Sequence, residues 1–258
     1  KEIAGVKYYN PMMIYPAIHY TMGGIWVDYE LMTSIKGLFA IGECNFSDHG
    51  ANRLGASALM QGLADGYFVL PYTIQNYLAD QITVPRFSTD LPEFAAAEKA
   101  IQDKIDWMMN IKGKKSVDSI HKELGHVMWE YVGMGRTAEG LKEGLTKLKE
   151  IRKEFEKDLF IPGDKEGMNV ELDKAIRLYD FIIMGELVAY DALNRNESCG
   201  GHFREEYQTE EGEAKRDDEN FFYVACWEYQ GSDEKAPELL KEPLVYEAIK
   251  VQTRNYKS

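Results

Sequence analysis

The sequence lacks the long hydrophobic run that a membrane-spanning helix requires. Its 258 residues contain no stretch of about 18 consecutive apolar residues, and we therefore expect no direct membrane insertion. Residues 1–9 also lack the basic and apolar regions of a secretion signal. The chain starts with Lys1 rather than Met, so we expect it to be a fragment of a longer protein.

Cysteine and basic residues are also scarce. Cys44, Cys199 and Cys226 are odd in number, widely spaced and form no Cys-x-x-Cys pair, which argues against a disulfide scaffold and favours a reducing compartment. Without a ferredoxin-type cysteine run, we expect no metal site in this chain and assign any iron–sulfur path to a partner. Lys and Arg total 30 against 43 Asp and Glu, a formal charge of −13. This charge argues against a nucleic-acid surface, and a dianionic substrate would need local cations to bind.

The residues that carry chemistry concentrate between positions 16 and 66. Residues 19–25 are His-Tyr-Thr-Met-Gly-Gly-Ile, and residues 49–55 are His-Gly-Ala-Asn-Arg-Leu-Gly. Arg53 is the first candidate because a guanidinium offers a planar fork that matches a carboxylate, although a lone loop arginine is also common as a surface charge. His19 could hold a second carboxylate, or it could be a hydrogen-bonded core histidine.

The same stretch contains predicted strands. Residues 25–29 alternate apolar and polar side chains, which predicts a half-exposed strand, and residues 32–35 could be its hairpin partner. Residues 37–41 form an unbroken apolar run between glycines, which is typical of a strand buried on both faces of a sheet. Glu43 follows its carboxyl end, where ligands bind in open α/β sheets. It is either a ligand for cofactor hydroxyls or a solvated turn residue.

A helix is predicted from residue 56 to about residue 70, with an end or a kink at Pro71. Ala58, Gly62 and Gly66 lie four residues apart on one face. Each glycine costs about 1 kcal/mol relative to alanine, so the pair indicates close approach of a backbone or a flat ligand, or tight packing of helix on sheet. The start of this helix offers free N–H groups that favour an anion or an electron-rich ring edge.

Residues 83–197 predict an antiparallel bundle of four amphipathic helices with short connections. Thr137 can cap the third helix and Asn169 the fourth. His121 and His126 lie five apart in the second helix, which does not place both on one face, so we interpret them as surface or capping residues. The four apolar stripes run through residues 94–108, 117–131, 141–155 and 172–190.

The last section, residues 198–258, predicts a small β unit. Its strands are expected at residues 221–227 and 244–251. In the turn that leaves the fourth helix, we interpret His202 and Arg204 as structural residues.

Three motifs in order resemble the flavoprotein subunit of succinate dehydrogenase and fumarate reductase. They are residues 19–25, the sequence Leu-Phe-Ala-Ile-Gly-Glu at residues 38–43, and residues 49–55. The helical bundle and the turn at residues 197–204 follow in the family's order. The resemblance therefore covers essentially the whole chain and identifies it as the carboxyl-terminal portion of that subunit.

The resemblance implies an α+β fold in three parts. Residues 1–82 would be the carboxyl-terminal part of an FAD- and substrate-binding α/β domain, residues 83–197 the helical bundle domain, and residues 198–258 the small carboxyl-terminal β unit. The family's nucleotide motif, its flavin-linking histidine and its proton-shuttling arginine belong to a part that precedes this chain. We therefore expect the chain alone neither to bind FAD tightly nor to turn over.

The family interconverts succinate and fumarate by hydride transfer with FAD. Electrons pass to an iron–sulfur subunit and then to quinone in a membrane anchor, a cytochrome b subunit, which implies a peripheral position on the cytoplasmic face of the inner membrane. By this resemblance His19 and Arg53 would be the catalytic residues and bind the substrate carboxylates, and Arg53 would also polarise the double bond.

Four residues are implied to contact the cofactor. Glu43 would contact the ribitol region of FAD. The family usually has Ser-Leu against the flavin ring, and the matching positions here are Ala58 and Leu59, with Ser57 as a possible substitute for the missing hydroxyl. Cys199 is a second departure, because the family usually has Arg in that turn.

Two other functions fit the same sequence. A soluble flavoenzyme similar to L-aspartate oxidase would carry a comparable His loop and Arg helix, with oxygen as acceptor and no partner subunits. A non-catalytic interaction module would use the helical bundle as a docking surface.

Overall fold

A computed structural model describes residues 9–11, 19–46, 49–51, 53–232, 235–248 and 250–252. The chain divides into two compact units, Lys1–Ile82 and Thr83–Ser258, here called the amino-terminal unit and the helical unit. In the described residues, none of the helices has the length and apolar content that a membrane crossing needs. Helices and strands occur together, which confirms the α+β class.

The described part of the amino-terminal unit contains single β-bridges instead of the predicted strands. Ile25 bridges to Asn45 in parallel, and Met32 bridges to Phe39 in antiparallel orientation. The strands predicted at residues 25–29 and 37–41, and the hairpin partner at residues 32–35, are therefore wrong.

Two local features explain this outcome. The Asp28 carboxylate accepts hydrogen bonds from the backbone N–H groups of Glu30 and Met32, which folds the chain into a turn where the alternating pattern predicted a strand. Leu38 and Ile41 are 49% and 37% exposed, so the apolar run is not buried on two faces. An unbroken apolar run does not by itself distinguish a buried strand from a loop that packs on one side.

The helix predicted from residue 56 is longer than expected. Helix α1 spans Ser57–Ala64, a π-helical segment spans Asp65–Val69, and helix α2 spans Leu70–Ala79. Pro71 lies in the first turn of α2, where a missing N–H costs no helical hydrogen bond. The predicted end at Pro71 is therefore wrong, and the irregularity lies before the proline.

The described part of the helical unit is built on four long helices. Helix α3 spans Pro92–Asn110, α4 spans Val117–Val132, α5 spans Ala138–Asp158 and α6 spans Val170–Asn194. Two short strands, β1 at Lys115–Ser116 and β2 at Leu159–Phe160, pair in parallel beside the bundle.

Side-chain caps begin three of these helices. Thr137 accepts a hydrogen bond from the N–H of Gly140, and Asn169 accepts one from the N–H of Leu172, which confirms both predicted caps. Ser116 caps α4 in the same way, and each cap stabilises its helix by about 1 kcal/mol.

Helices α4, α5 and α6 run antiparallel in succession, as predicted. The start of α4 and the end of α5 meet at the β1–β2 pair, and the Tyr131 hydroxyl near the end of α4 lies 2.9 Å from Glu143 near the start of α5. Lys174 at the start of α6 pairs with Asp118 at the start of α4, so α4 and α6 run in the same direction and α5 runs antiparallel to both. The most deeply buried bundle side chains are Met108, Val117, Ile120, Leu141, Leu148, Phe155, Leu159, Leu178 and Ile182.

The exposed faces of the bundle agree with the interpretation of its histidines. His121 and His126 are both exposed on α4, which confirms that they are surface residues. Inside the bundle, Arg152 and Glu186 form an ion pair of 3.1 Å between α5 and α6.

A short helix and a hairpin follow the bundle. Helix α7 spans Asp218–Phe221, and strand β3 at Tyr223–Glu228 pairs antiparallel with β4 at Glu238–Pro243. The first predicted strand is confirmed to within two residues. The second, at residues 244–251, is wrong: residue 249 lies outside the described residues and the others form no ladder. Strand β4 is mostly exposed, so backbone pairing rather than an apolar pattern determines its position.

His202 and Arg204 are structural, as predicted. Arg204 is 1% exposed and donates to the carbonyl of Ala192 at 3.0 Å and to the Glu206 carboxylate at 3.1 Å. The His202 ring lies 2.9 Å from Arg136 Nη1 through Nδ1 and 2.9 Å from the carbonyl oxygen of Arg195 through Nε2. Because a guanidinium has only donors, Nδ1 accepts and Nε2–H donates, which requires neutral imidazole.

The His202 contacts predict a pH dependence of stability. Burial lowers the pKa of His202 below its ordinary value of 6.5, because it disfavours the imidazolium. The unfolded chain then binds a proton at a higher pH than the folded chain. The contribution of His202 to the free energy of unfolding is present above about pH 6.5 and is lost as the pH falls through the folded pKa.

We expect urea unfolding, followed by circular dichroism, to show a smaller loss of stability on acidification in His202→Gln than in the wild type. The matched control is His126→Gln, which changes an exposed histidine and should follow the wild-type curve. Equal pH dependence in wild type and His202→Gln would contradict the assignment.

Candidate functional site

Arg53 lies in a cluster with an aromatic ring and a histidine. Its guanidinium carbon is 4.4 Å from the centroid of the Tyr20 ring, and its backbone N–H donates to Met22 Sδ at 3.2 Å. The Tyr20 ring meets the ring of His49 edge to face at 5.8 Å. The Ser57 hydroxyl, at the start of α1, is 3.4 Å from His49 Nδ1. The two motifs at residues 19–25 and 49–55 are therefore in direct contact.

The donors of Arg53 are only partly used. Nη1 donates to the carbonyl oxygen of Leu54 at 3.1 Å, whereas Nε and Nη2 have no acceptor within the described residues. No carboxylate in that part of the chain pairs with Arg53, although the chain carries a net charge of −13. Arg53 is half-buried, and among the described residues nothing occupies one edge of its guanidinium, which could accept an external anion.

His19 is the third candidate residue of this region. The residue is exposed and directly precedes Tyr20, and it forms no hydrogen bond or ion pair with any of the described residues. The structure brings Arg53 together with Tyr20, His49 and Ser57 but gives no direct contact between Arg53 and His19. Asn52 of the second motif lies outside the described residues.

Glu43 is presented on a tight turn. It occupies the middle of a 3₁₀ turn at Gly42–Cys44 and is exposed. Gly42 has φ +66°, a left-handed conformation that glycine adopts without strain.

A buried carboxylate fixes this turn to helix α1. Asp65 Oδ2 accepts from the N–H of Gly42 at 3.0 Å and lies 3.4 Å from both Asn45 Nδ2 and Gln61 Nε2. Gln61 also donates to Asn45 Oδ1 at 3.0 Å. A carboxylate that is 8% exposed needs such donors to offset the loss of hydration. We call Asn45, Gln61 and Asp65 the polar junction.

The backbone passes close to itself at Gly24. A Cβ at this position would lie 2.6 Å from the carbonyl oxygens of both Cys44 and Asn45. On either side of this contact, Ile25 donates to Cys44 and Phe46 donates to Ile25 through backbone hydrogen bonds of 2.9 and 3.0 Å. Gly24 therefore allows the histidine-bearing loop and the Glu43 turn to pack together.

The start of α1 offers unused donors. The backbone N–H groups of Ala58 and Leu59 have no acceptor in the part of the chain that the structure describes, and Ala56 makes no side-chain cap. Leu59 is 73% exposed beside them, whereas Ala58 is buried. The Ser57 hydroxyl donates to the carbonyl oxygen of Leu54 at 2.7 Å. These groups fit a flavin, since two N–H donors and an apolar side chain suit the polar edge and the face of its ring.

The glycines of this helix have different explanations. A Cβ at Gly62 would lie 3.8 Å from the Cα of Gly42, so the backbone of the Glu43 turn lies against the helix at this point. A Cβ at Gly66 would meet nothing within 4 Å. Close approach of a backbone thus accounts for Gly62 but not for Gly66.

Sequence reasoning missed Tyr20 and the polar junction. Tyr20 stands beside a predicted site histidine, and that adjacency was the only signal. Asn45, Gln61 and Asp65 are ordinary polar residues with no motif spacing, and their association depends on contacts between separate segments. Within the described residues, no group of three or more His, Cys, Asp or Glu side chains is arranged to hold a metal ion.

Comparisons with known proteins agree with the resemblance. A family model for the carboxyl-terminal part of the fumarate reductase flavoprotein matches residues 121–256, and a model for an FAD binding domain matches residues 2–59. The chain is 34% identical to the succinate dehydrogenase flavoprotein subunit of Bacillus subtilis over 197 residues, which are 76% of this chain and 33% of that protein. It is 36% identical to the fumarate reductase flavoprotein subunit of Proteus vulgaris over 227 residues, 86% of this chain and 36% of that protein.

The fold agrees with the same relatives. A chain of quinol fumarate reductase from E. coli superposes with a TM-score of 0.71 at 27% identity, over 91% of this chain and 38% of that chain. The chain thus spans about a third of the length of the curated relatives it matches. The resemblance seen in the sequence motifs is confirmed, and so is the association with FAD.

The contact at Gly24 leads to a stability prediction. Gly24→Ala should destabilise the amino-terminal unit by about 1–3 kcal/mol, because the added methyl group meets two backbone carbonyls that cannot rotate away. Hydrogen–deuterium exchange should be faster in peptides from residues 25–46 that contain the two flanking hydrogen bonds.

The control is Gly66→Ala, where a methyl group meets nothing within 4 Å and should be neutral or slightly stabilising. Unchanged exchange in Gly24→Ala would show that the two loops do not pack as described.

Proposed function

Since the chain belongs to the family of fumarate reductase flavoproteins, we propose that it forms the dicarboxylate clamp and one wall of the flavin pocket in an FAD-dependent oxidoreductase. This enzyme interconverts succinate and fumarate by hydride transfer. The whole protein carries the activity, because the chain spans only about a third of the relatives it matches.

The observation that carries this proposal is the uncompensated charge of Arg53. Arg53 is half-buried; its guanidinium pairs with no carboxylate within the described residues, and its Nε and Nη2 edge is unused there. A bidentate carboxylate ligand would neutralise this charge and match the geometry of the fork.

Each carboxylate of the substrate has one candidate partner in this chain. Arg53 binds one carboxylate through its Nε and Nη2 edge, and its permanent charge polarises the adjacent carbon–carbon double bond. His19 binds the second carboxylate through a ring N–H. Two anchors fix the dicarboxylate in one orientation and lower the entropic part of the barrier.

The flavin contacts come from the Glu43 turn and the start of α1. FAD, when bound, supplies the hydride acceptor or donor. The Glu43 carboxylate would accept from ribitol hydroxyls, the N–H groups of Ala58 and Leu59 would donate to the ring edge, and the Leu59 side chain would cover its face. Ser57 contributes to the flavin wall by holding the start of α1 in place, because its hydroxyl already donates to the carbonyl oxygen of Leu54.

We further propose that the whole protein passes electrons to an iron–sulfur subunit, and through it to a cytochrome b membrane anchor. It would lie peripherally on the cytoplasmic face of the inner membrane. Membership of a family whose solved relatives include quinol fumarate reductase supports this assignment.

Arg53→Ala in the whole protein should reduce kcat/KM for succinate oxidation by about 10²–10³-fold or more, because it removes a preorganised cation from the reacting dicarboxylate. Arg53→Lys should remain strongly impaired, since an ammonium group lacks the planar fork. The measurement is steady-state succinate oxidation with an artificial electron acceptor, normalised to bound flavin.

The matched control is Arg177→Ala, which removes an exposed arginine that pairs with Asp173 on α6. It should leave succinate oxidation unchanged. If Arg53→Ala oxidised succinate normally, the clamp would be refuted and the interaction module would be favoured. Oxidation of L-aspartate with oxygen as acceptor, in place of succinate, would favour the L-aspartate oxidase alternative.

A further inference from the structure

We propose that Tyr20 is a positioning residue whose aromatic face holds Arg53 with its Nε and Nη2 edge directed at a substrate carboxylate. This inference rests on the proposed function, because it concerns the same clamp. It adds a residue that neither the motifs nor the family resemblance assigned to the site.

The geometry fixes the guanidinium on two sides. The Tyr20 ring centroid lies 4.4 Å from Arg53 Cζ, within the range of a cation–π interaction. The carbonyl oxygen of Leu54 accepts from Nη1 at 3.1 Å. Together these contacts restrict the long arginine side chain before any ligand binds, and preorganisation of this kind raises affinity.

Tyr20 is in turn supported from the start of α1. Its ring packs against the His49 ring at an interplanar angle of 76°, and His49 Nδ1 lies 3.4 Å from the Ser57 hydroxyl. That hydroxyl donates to the same Leu54 carbonyl that accepts from Arg53. The contacts that hold Arg53 and Tyr20 in place therefore meet at residues 54–57.

An aromatic ring suits this role better than an acid. A carboxylate could also hold Arg53, but it would occupy the fork and repel an anionic substrate in a chain whose net charge is already −13. The ring attracts the cation through its quadrupole and leaves both the charge and the remaining donors available. The Tyr20 hydroxyl makes no hydrogen bond within the described residues, so the ring alone carries the effect.

The test uses the whole flavoprotein with malonate, a dicarboxylate that cannot be dehydrogenated, as the probe. Tyr20→Leu should raise the dissociation constant of malonate and the KM for succinate by about 3- to 30-fold. Tyr20→Phe should stay close to the wild type, because it keeps the ring. In an Arg53→Ala background, Tyr20→Leu should have no further effect on malonate binding.

A second series separates positioning from packing. Phenylalanines with an increasing number of ring fluorines at position 20 keep the shape of the ring while they weaken its quadrupole, so malonate affinity should fall stepwise with fluorination. Packing alone would not produce this trend. The series also remains informative if Tyr20→Leu fails to fold. Tyr77→Leu, which removes another ring of the amino-terminal unit that packs on Phe39, should leave malonate affinity unchanged.

The outcomes separate the two proposals. Normal succinate oxidation by Arg53→Ala would refute the proposed function itself. If Arg53→Ala is impaired as expected, the inference on Tyr20 is overturned by wild-type malonate affinity in Tyr20→Leu, by equal losses in Tyr20→Phe and Tyr20→Leu, or by affinity that does not change with fluorination.

Discussion

The geometry of the candidate site depends on one buried carboxylate. Asp65 accepts from the backbone of Gly42 and lies within reach of two side-chain amides, so it joins the turn that presents Glu43 to the helix that begins at Ser57. An apolar residue at position 65 would leave the Gly42 N–H without its acceptor and remove one partner from each amide, and such a penalty exceeds the net worth of the hydrogen bonds themselves. The polar junction thus fixes the distance between two segments whose exposed ends carry the proposed cofactor contacts.

Within the described residues of the same unit, Arg53 has no acidic partner. In the helical unit, the buried Arg152 and Arg204 pair with Glu186 and Glu206, and the half-buried Arg195 pairs with Glu197. Those pairs position elements, and their charges are neutralised within the chain. Arg53 rests on an aromatic ring and a carbonyl instead, which restrict its motion without cancelling its charge. This difference is electrostatic, and a sequence motif does not express it.

The secondary structure of the helical unit was predicted from its sequence more accurately than that of the amino-terminal unit. Amphipathic helices have a period that burial enforces, so the stripes and the caps at Thr137 and Asn169 were predictable from local physics. The loops before residue 57 are held by contacts between distant residues, such as Gly24 against the carbonyls of Cys44 and Asn45. Alternation and apolar runs predicted strands there because those patterns do not encode long-range packing. The candidate residues were found through motif identity, whereas their supports, Tyr20 and the polar junction, required coordinates.

The structure explains how Ala58 can replace the serine that the family resemblance implies at this position. Ala58 lacks the serine hydroxyl and therefore suggested a lost contact to the flavin ring. Ala58 is 7% exposed, whereas the neighbouring Leu59 is 73% exposed, so position 58 faces the interior more than the pocket. The backbone N–H groups of both residues lack acceptors in the described part of the chain, and any residue except proline supplies such donors. The proposed contact to a ring edge at this helix start therefore depends on the direction of the backbone, which Ala56 sets with its φ of 65°, more than on a hydroxyl.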